Sequence, residues 1–439
     1  MSFDPAPFAA RRARLAQLMR EAGGGVAYIP TAREAIRNGD SEYAYRFGSN
    51  FYYLTGFSEP EAALVLIADD DNSESILFCR EKNPEREIWD GFRHGPEAAC
   101  ERFGLSAAWP IAELDTRLAD YLANRAAVFH MIGADSADDG RIVRALDAVR
   151  SRARSGVTPP ASVRDLRVLV DEMRLHKDAD ELAAMRRAAA ISGAAHARAM
   201  RFARPGHFEY QVEAELMHEF ISQGARSAAY TPIVAGGSNA CTLHYVDNRK
   251  QLADGELLLI DAGCEVDGYA ADITRTFPVS GRFSGPQRAL YELVLAAQLA
   301  AIDKARAGQA YNAYHDAAVR VLTQGLVDLG LLDGDVDGLI EKKAYDRFYM
   351  HSTGHWLGLD VHDVGRYKID GGWRPLAPNQ VLTVEPGLYI RPAEDIPEAY
   401  WHIGIRIEDD VLITDGEPEV LSHHAPKTVA DIEALMRDR

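Results

Sequence analysis

LLLIDAG at 257–263 and ADITRTFPV at 271–279 decide the fold. Both read as buried strands, and Asp267–Gly268 between them is a hairpin-turn dipeptide. The pattern returns in VLTVEPGLYI at 381–390 and GIRIEDDVLIT at 404–414, a second strand pair with a longer connection. Each pair carries one carboxylate in its first strand and one in its second: Asp261 and Asp272, then Glu385 and Glu408. The echo reads as a duplicated unit facing itself. Asp261 follows the apolar run Leu257–Ile260, Glu385 follows VLTV and Glu408 follows GIRI. A carboxylate so placed is partly buried, which is unfavourable unless it is paired, hydrogen-bonded or metal-bound. For any one of these acids, solvent exposure or a salt bridge such as Glu408 to Arg406 is the ordinary reading. Four of them in paired hairpins weigh against it.

Between the two hairpins, HSTGHWLGLDVHD at 351–363 places His351, His355 and His362 beside Gly354 and Gly358. One imidazole with several carboxylates describes a hard, oxygen-rich donor set. Such a set suits Mn²⁺ or Co²⁺ better than structural Zn²⁺, which prefers cysteine or more histidine. Four acids exceed what one ion needs, so two carboxylate-bridged ions are expected, a hydrolase arrangement.

Outward from these motifs, the first third alternates helical and strand patterns. Phe8–Ala22 reads as a helix stopped by Gly23–Gly25. Phe51–Leu54, Ala63–Ile67, Ser75–Cys79 and Ala127–Ile132 read as strands, with helices near Ile111–Asn124 and Gly140–Arg150. SGVTPPAS at 155–162 marks a loop near a junction, and the domains are expected at 1–172 and 173–439. Asp178 and Glu181 form a capping-box pattern opening a long helix that stops at Pro205–Gly206. Further helices are expected near Glu209–Ser222, Gly285–Ala307 and Tyr311–Leu329. The fold class is α/β (α+β).

The formal charge of −18 argues against nucleic acid or an anionic membrane as partner, and suits a protein that concentrates cations. No apolar run approaches the roughly 18 residues of a membrane span. No continuous apolar stretch follows the arginines near the start, so no secretory signal is expected. Cys79, Cys100, Cys241 and Cys264 are too scattered for a disulfide framework, and a reduced, cytoplasmic protein is expected.

The series IDAGCEVDGYAADITRTFPVSG, HSTGHWLGLDVHD, VLTVEPGLYI and GIRIEDDVLIT closely resembles the pita-bread-fold metallopeptidases, and among them the aminopeptidase P (Xaa-Pro aminopeptidase) family. The resemblance is strong over about 174–430. It extends through DSEYAYRFGSNFYYLTGFSEPEAALVLI at 40–67 to that family's creatinase-like N-terminal domain. It implies a pita-bread catalytic domain holding two divalent ions, Mn²⁺ first, with Co²⁺ or Zn²⁺ as alternatives. Asp261 resembles the acid that chelates one ion only, Asp272 and Glu408 the two that bridge both, and His355 with Glu385 the pair that completes the ligand shell of the second ion. A hydroxide bridging the ions would attack the scissile carbonyl, with Glu385 handling the proton. His244 and His362 match histidines that contact substrate and stabilise the tetrahedral intermediate, and His351 a further pocket histidine. Arg406 matches a pocket arginine, with structural pairing as its competing role. Tyr389 and Trp89 resemble substrate-pocket aromatics, with core packing as the alternative. The implied substrates are peptides with proline second, and the implied assembly is a homo-oligomer, a dimer or tetramer. A prolidase cutting Xaa-Pro dipeptides shares the metal residues. The large N-terminal domain counts against a methionine aminopeptidase, and the intact ligand set counts against a non-catalytic peptide-binding relative.

Overall fold

The computed structural model of the chain describes residues 3–69 and 72–437. Two units are distinguished, Met1–Arg174 and Leu175–Arg439.

The first unit is built on a mixed sheet of β1 (Gly25–Pro30), β2 (Ala63–Asp69), β3 (Asn72–Cys79), β4 (Ala107–Pro110), β5 (Ala127–His130) and β6 (Ser162–Asp165). Its order is β4-β3-β2-β1-β5-β6. The β1–β2 and β2–β3 pairs are antiparallel, and the outer pairs are parallel. Helices Leu114–Leu122 and Ser136–Arg150 pack Leu118, Leu122, Ile142 and Val149 against Val26, Val65 and Phe78. Phe51–Leu54, expected as a strand, lies instead in the helix Ser49–Thr55, ended by Gly56 in the left-handed region at φ 67°. A four-residue apolar run carries no period that separates the two states, and the glycine stop decides it. The strand expected over Ala127–Ile132 ends at His130, and the helix near Ile111–Asn124 begins as a 3₁₀ turn before Leu114.

In the second unit, helix Ala179–Phe202 opens on a complete capping box between Asp178 and Glu181. Helices Glu209–Ser222, Gly285–Lys304 and Ala313–Asp328 follow. The two acid-bearing hairpins are both bent. In the first, β8 (Leu257–Asp261) pairs with β11 (Thr274–Pro278), while the inner β9 (Cys264–Val266) pairs with β10 (Tyr269–Ala270) around the Asp267–Gly268 turn. A further strand, β7 (Ile233–Gly236), flanks β8. In the second, β12 (Val381–Val384) pairs with β15 (Asp409–Leu412), and β13 (Gly387–Ile390) with β14 (Ile403–Arg406). The expected continuous strands are thus each broken, and every break coincides with an acid: Asp261 ends β8, Asp272 precedes β11, Glu385 follows β12 and Glu408 lies between β14 and β15. Leaving the ladder there frees backbone and side chain to turn inward. Gly263 permits the first bend, since a Cβ would lie 1.8 Å from the Ala271 carbonyl oxygen.

The hairpins are cross-tied. The Glu408 N–H donates to the Thr274 carbonyl at 3.1 Å, and the Asp272 N–H to Asp410 Oδ1 at 3.1 Å. Arg275, fully buried, pairs with Asp409 at 2.7 Å and donates to the carbonyls of Thr274, Ala425 and Pro426, and of Glu408. Among the described residues, no helix is long and apolar enough to cross a membrane.

Candidate active site and metal centre

The breaks open onto a cavity of about 830 Å³ lined by Asp261, Asp272, His355, Glu385 and Glu408, all five expected ligands, and by His244, His351, His362 and Arg406. One ligand atom each of Asp272, His355 and Glu408 lies within 4.8 Å of the other two. His355 Nε2 is 3.5 Å from Asp272 Oδ2 and 3.8 Å from Glu385 Oε1. The segment carrying it runs beside β12: the His355 N–H donates to Thr383 Oγ1, the Thr383 N–H to the His355 carbonyl, and the Glu385 N–H to the Thr353 carbonyl. Only glycine fits at 354, where a Cβ would lie 1.9 Å from the Thr383 carbonyl oxygen.

His355 Nδ1 faces the Trp356 carbonyl at 3.0 Å. Donation there leaves Nε2 to face the acids, the orientation a metal-binding imidazole needs. Burial alone would lower this histidine, but Asp272 and Glu385 reverse the shift and lift it to about 9. A cation among the acids would replace that proton. Burial, reinforced by neighbouring carboxylates, pushes Glu408 well above the carboxylate range, and burial lifts Glu385 up to about 7 against the opposing charges of His355 and Arg406. Asp261 is also raised, mainly by burial. Asp272 stays below its ordinary value against its own burial, held by His355 and Tyr230.

Tyr230 is where the charge imbalance is sharpest. Its hydroxyl contacts Asp261 Oδ1 and, at 2.5 Å, Asp272 Oδ1. A phenol has one proton and can serve one carboxylate at a time. Four carboxylates, Asp272 and Glu408 buried and Asp261 and Glu385 half-buried, outnumber one imidazole and one guanidinium, and the oxygen-rich donor set fits divalent metal ions.

Arg406 is 4% exposed, with Nη2 on Asp261 Oδ2 at 2.6 Å, Nη1 on Tyr389 at 3.0 Å and Nε on Thr274 Oγ1 at 3.1 Å. Tyr389 does not line the cavity. It is buried against Ile233, Ala235 and Leu259, and its hydroxyl joins Arg406 to His351 Nε2 at 2.8 Å. Burial, then the Arg406 charge, pushes His351 down to about 3, leaving a neutral imidazole. His244 and His362 are more exposed, and the His362 ring stands 4.0 Å from that of His355. Trp89 does not line this cavity; it stands 83% exposed on helix Pro84–Asp90 of the first unit.

Several site residues escaped the sequence reading. Thr274 donates to Glu408 Oε2 at 2.6 Å, and Asp410 accepts from the Asp272 backbone. Each lies two positions beyond an acid of the cluster, so strand alternation could have flagged them. Tyr230 had no such signal. Tyr311, Tyr367 and Trp373 form an aromatic wall of the cavity.

The family model for metallopeptidase family M24 matches residues 183–415, and that for the aminopeptidase P N-terminal domain matches residues 8–129. The chain is 47% identical to Xaa-Pro aminopeptidase of Escherichia coli K12 over 430 residues, covering 98% of this chain and 97% of that protein. It is 46% identical to Xaa-Pro aminopeptidase of Haemophilus influenzae over 92% of this chain and 91% of that one. The solved Pseudomonas aeruginosa aminopeptidase PepP superposes with a TM-score of 0.97 at 49% identity, covering 100% of this chain and 99% of that one. With both units matched and the acid-rich cavity inside the matched catalytic region, the chain belongs to metallopeptidase family M24 and carries an aminopeptidase P N-terminal domain.

Proposed function

We propose that the chain is an Xaa-Pro aminopeptidase, a hydrolase that releases the first residue of peptides whose second residue is proline. The observation that carries this reading is that four acids, from the breaks of two bent hairpins, line one cavity with His355, whose Nε2 faces Asp272 and Glu385. The kinship with Xaa-Pro aminopeptidases over nearly the whole chain supports the choice of substrate. In this reading Asp261, Asp272, His355, Glu385 and Glu408 hold two divalent ions. Mn²⁺ is the first choice because the donors are mostly hard oxygens. Bound divalent ions would supply the positive charge that polarises a peptide carbonyl and makes water nucleophilic near neutral pH.

The protein's own groups divide the remaining work. Glu385, 18% exposed and facing the cavity, takes a proton and returns it to the leaving proline nitrogen. His244 and His362 contact the substrate carbonyl from the accessible side of the cavity. His351 accepts from Tyr389 and adds a neutral polar wall, and Arg406 fixes Asp261. The apolar lining of Ile233, Leu243 and Val246 suits a proline ring, which has no N–H to satisfy. Trp89 is kept as a substrate-contacting candidate, and a homo-oligomer, dimer or tetramer, as the assembly. The same reading takes 1–172 and 173–439 as the domains. It assigns a cytoplasmic location, supported by four free thiols, three of them buried.

Mass-spectrometric product analysis of Mn²⁺-loaded protein given Ala-Pro-Ala and Ala-Pro side by side tests this. Free alanine from the tripeptide, with slow or absent dipeptide cleavage, is expected. Cleavage of the dipeptide alone would turn the assignment to a prolidase.

A further inference from the structure

The cavity lining has two chemically different parts. One is the acid cluster; the other is the aromatic wall with Lys368. Lys368 and Trp373 face each other across a two-stranded hairpin whose turn residues, Asp370 and Gly371, both have positive φ, 50° and 81°. This is the tight hairpin turn whose twist matches its strands. Lys368 Nζ lies 4.4 Å from the Trp373 ring centroid, and Trp373 stacks on Tyr311 at 6.0 Å. The ammonium is thus held over a ring at the cavity wall. Arg406, the other fixed cation lining the cavity, is spent on Asp261 at 2.6 Å. Lys368 has no carboxylate partner among the described residues, so its charge is available to a ligand.

A short peptide brings opposite charges on its two ends. Its carboxylate is matched by an ammonium on the lining of the same cavity. We propose that Lys368, seated on Trp373, recognises the free C-terminal carboxylate of the substrate, so that the enzyme favours tripeptides of the form Xaa-Pro-Xaa over C-terminally blocked peptides. This rests on the aminopeptidase reading above. Two residues beyond the cleaved bond extend about 7 Å, so a tripeptide presents its carboxylate near the scissile site, whereas a longer chain carries it outward.

The test compares kcat/KM of the Mn²⁺-loaded full chain for Ala-Pro-Ala and for its C-terminal amide, at low and high salt. The free acid should be preferred about three- to five-fold at low salt, the scale of a partly exposed ion pair, and the preference should shrink as salt rises. Lys368→Met should bring the ratio to about one, Lys368→Glu should invert it, and Lys368→Arg should retain it. Because each ratio is taken within one protein preparation, loss of folded enzyme does not alter it. Equal use of acid and amide by the wild type, or an unchanged ratio in Lys368→Met, overturns this inference alone. Release of alanine from neither peptide overturns the aminopeptidase reading and this inference with it.

Discussion

Replacing Tyr230 by phenylalanine removes one oxygen from the most crowded point of the acid cluster and leaves the ring in place. That oxygen lies within hydrogen-bond reach of both Asp261 and Asp272, which come from opposite sides of the first bent hairpin, and donates its one proton to one of them at a time. Hydrogen bonds to charged groups contribute about 1.5–3 kcal/mol. Loss of a group that orients a metal-binding side chain weakens ion affinity about 10–100-fold, an energy of the same size. Tyr230→Phe should therefore bind Mn²⁺ about 10–100-fold more weakly, measured by competition with a chelator of known affinity. Circular dichroism should be unchanged, and excess Mn²⁺ should restore most of the activity. Wild-type affinity in the variant would refute the reasoning, because it would mean that Asp261 and Asp272 are held without the phenol.

Three further outcomes follow from buried positions that are not themselves proposed ligands. His196 is fully buried, with Nε2 at 3.0 Å from the Ala262 carbonyl, and burial pushes it from 6.5 down to about 4. The unfolded chain binds the proton first, so stability should fall as pH drops from about 6.5 to about 4, by about 3 kcal/mol. His196→Gln should flatten that window in urea titrations run at several pH values. Arg275→Met leaves Asp409 with only part of its counter-charge and should cost about 3–5 kcal/mol, read as a lowered denaturant midpoint with saturating metal. Gly354→Ala places a methyl 1.9 Å from the Thr383 carbonyl oxygen, and should abolish activity and weaken Mn²⁺ binding while the protein stays folded by circular dichroism.

Much of the acid cluster was legible because burial of a carboxylate is costly wherever it happens. An acid at the end of LLLI or VLTV advertises a partner before any coordinates exist. The long helices were legible too, through caps such as Asp178–Glu181. The breaks at the acids were not. Apolar runs such as GIRI show that a strand is buried, but not where it exchanges one ladder partner for another. Ser49–Thr55 was misread for a related reason, since four apolar residues span little more than one helical turn. Tyr230 was hidden because its importance lies in reaching Asp261 and Asp272, 31 and 42 positions onward, and nothing in SAAYTP announces either. Tyr389 matched a pocket residue in sequence, but its ring is buried in the core and only its hydroxyl serves His351 and Arg406.

The cross-ties between the two bent hairpins also set a timetable. Thr274 and Glu408 stand 134 positions apart, and Arg406 and Asp261 stand 145 apart, so the two halves of the cluster cannot be joined by local chain alone. Contacts of such long range close late, after the loops between them have been drawn in. During refolding, tight Mn²⁺ binding should consequently appear after the helical signal has recovered. The ion would then act as a reporter of the last event in folding, and as a latch on a nascent chain only once synthesis has passed the second hairpin.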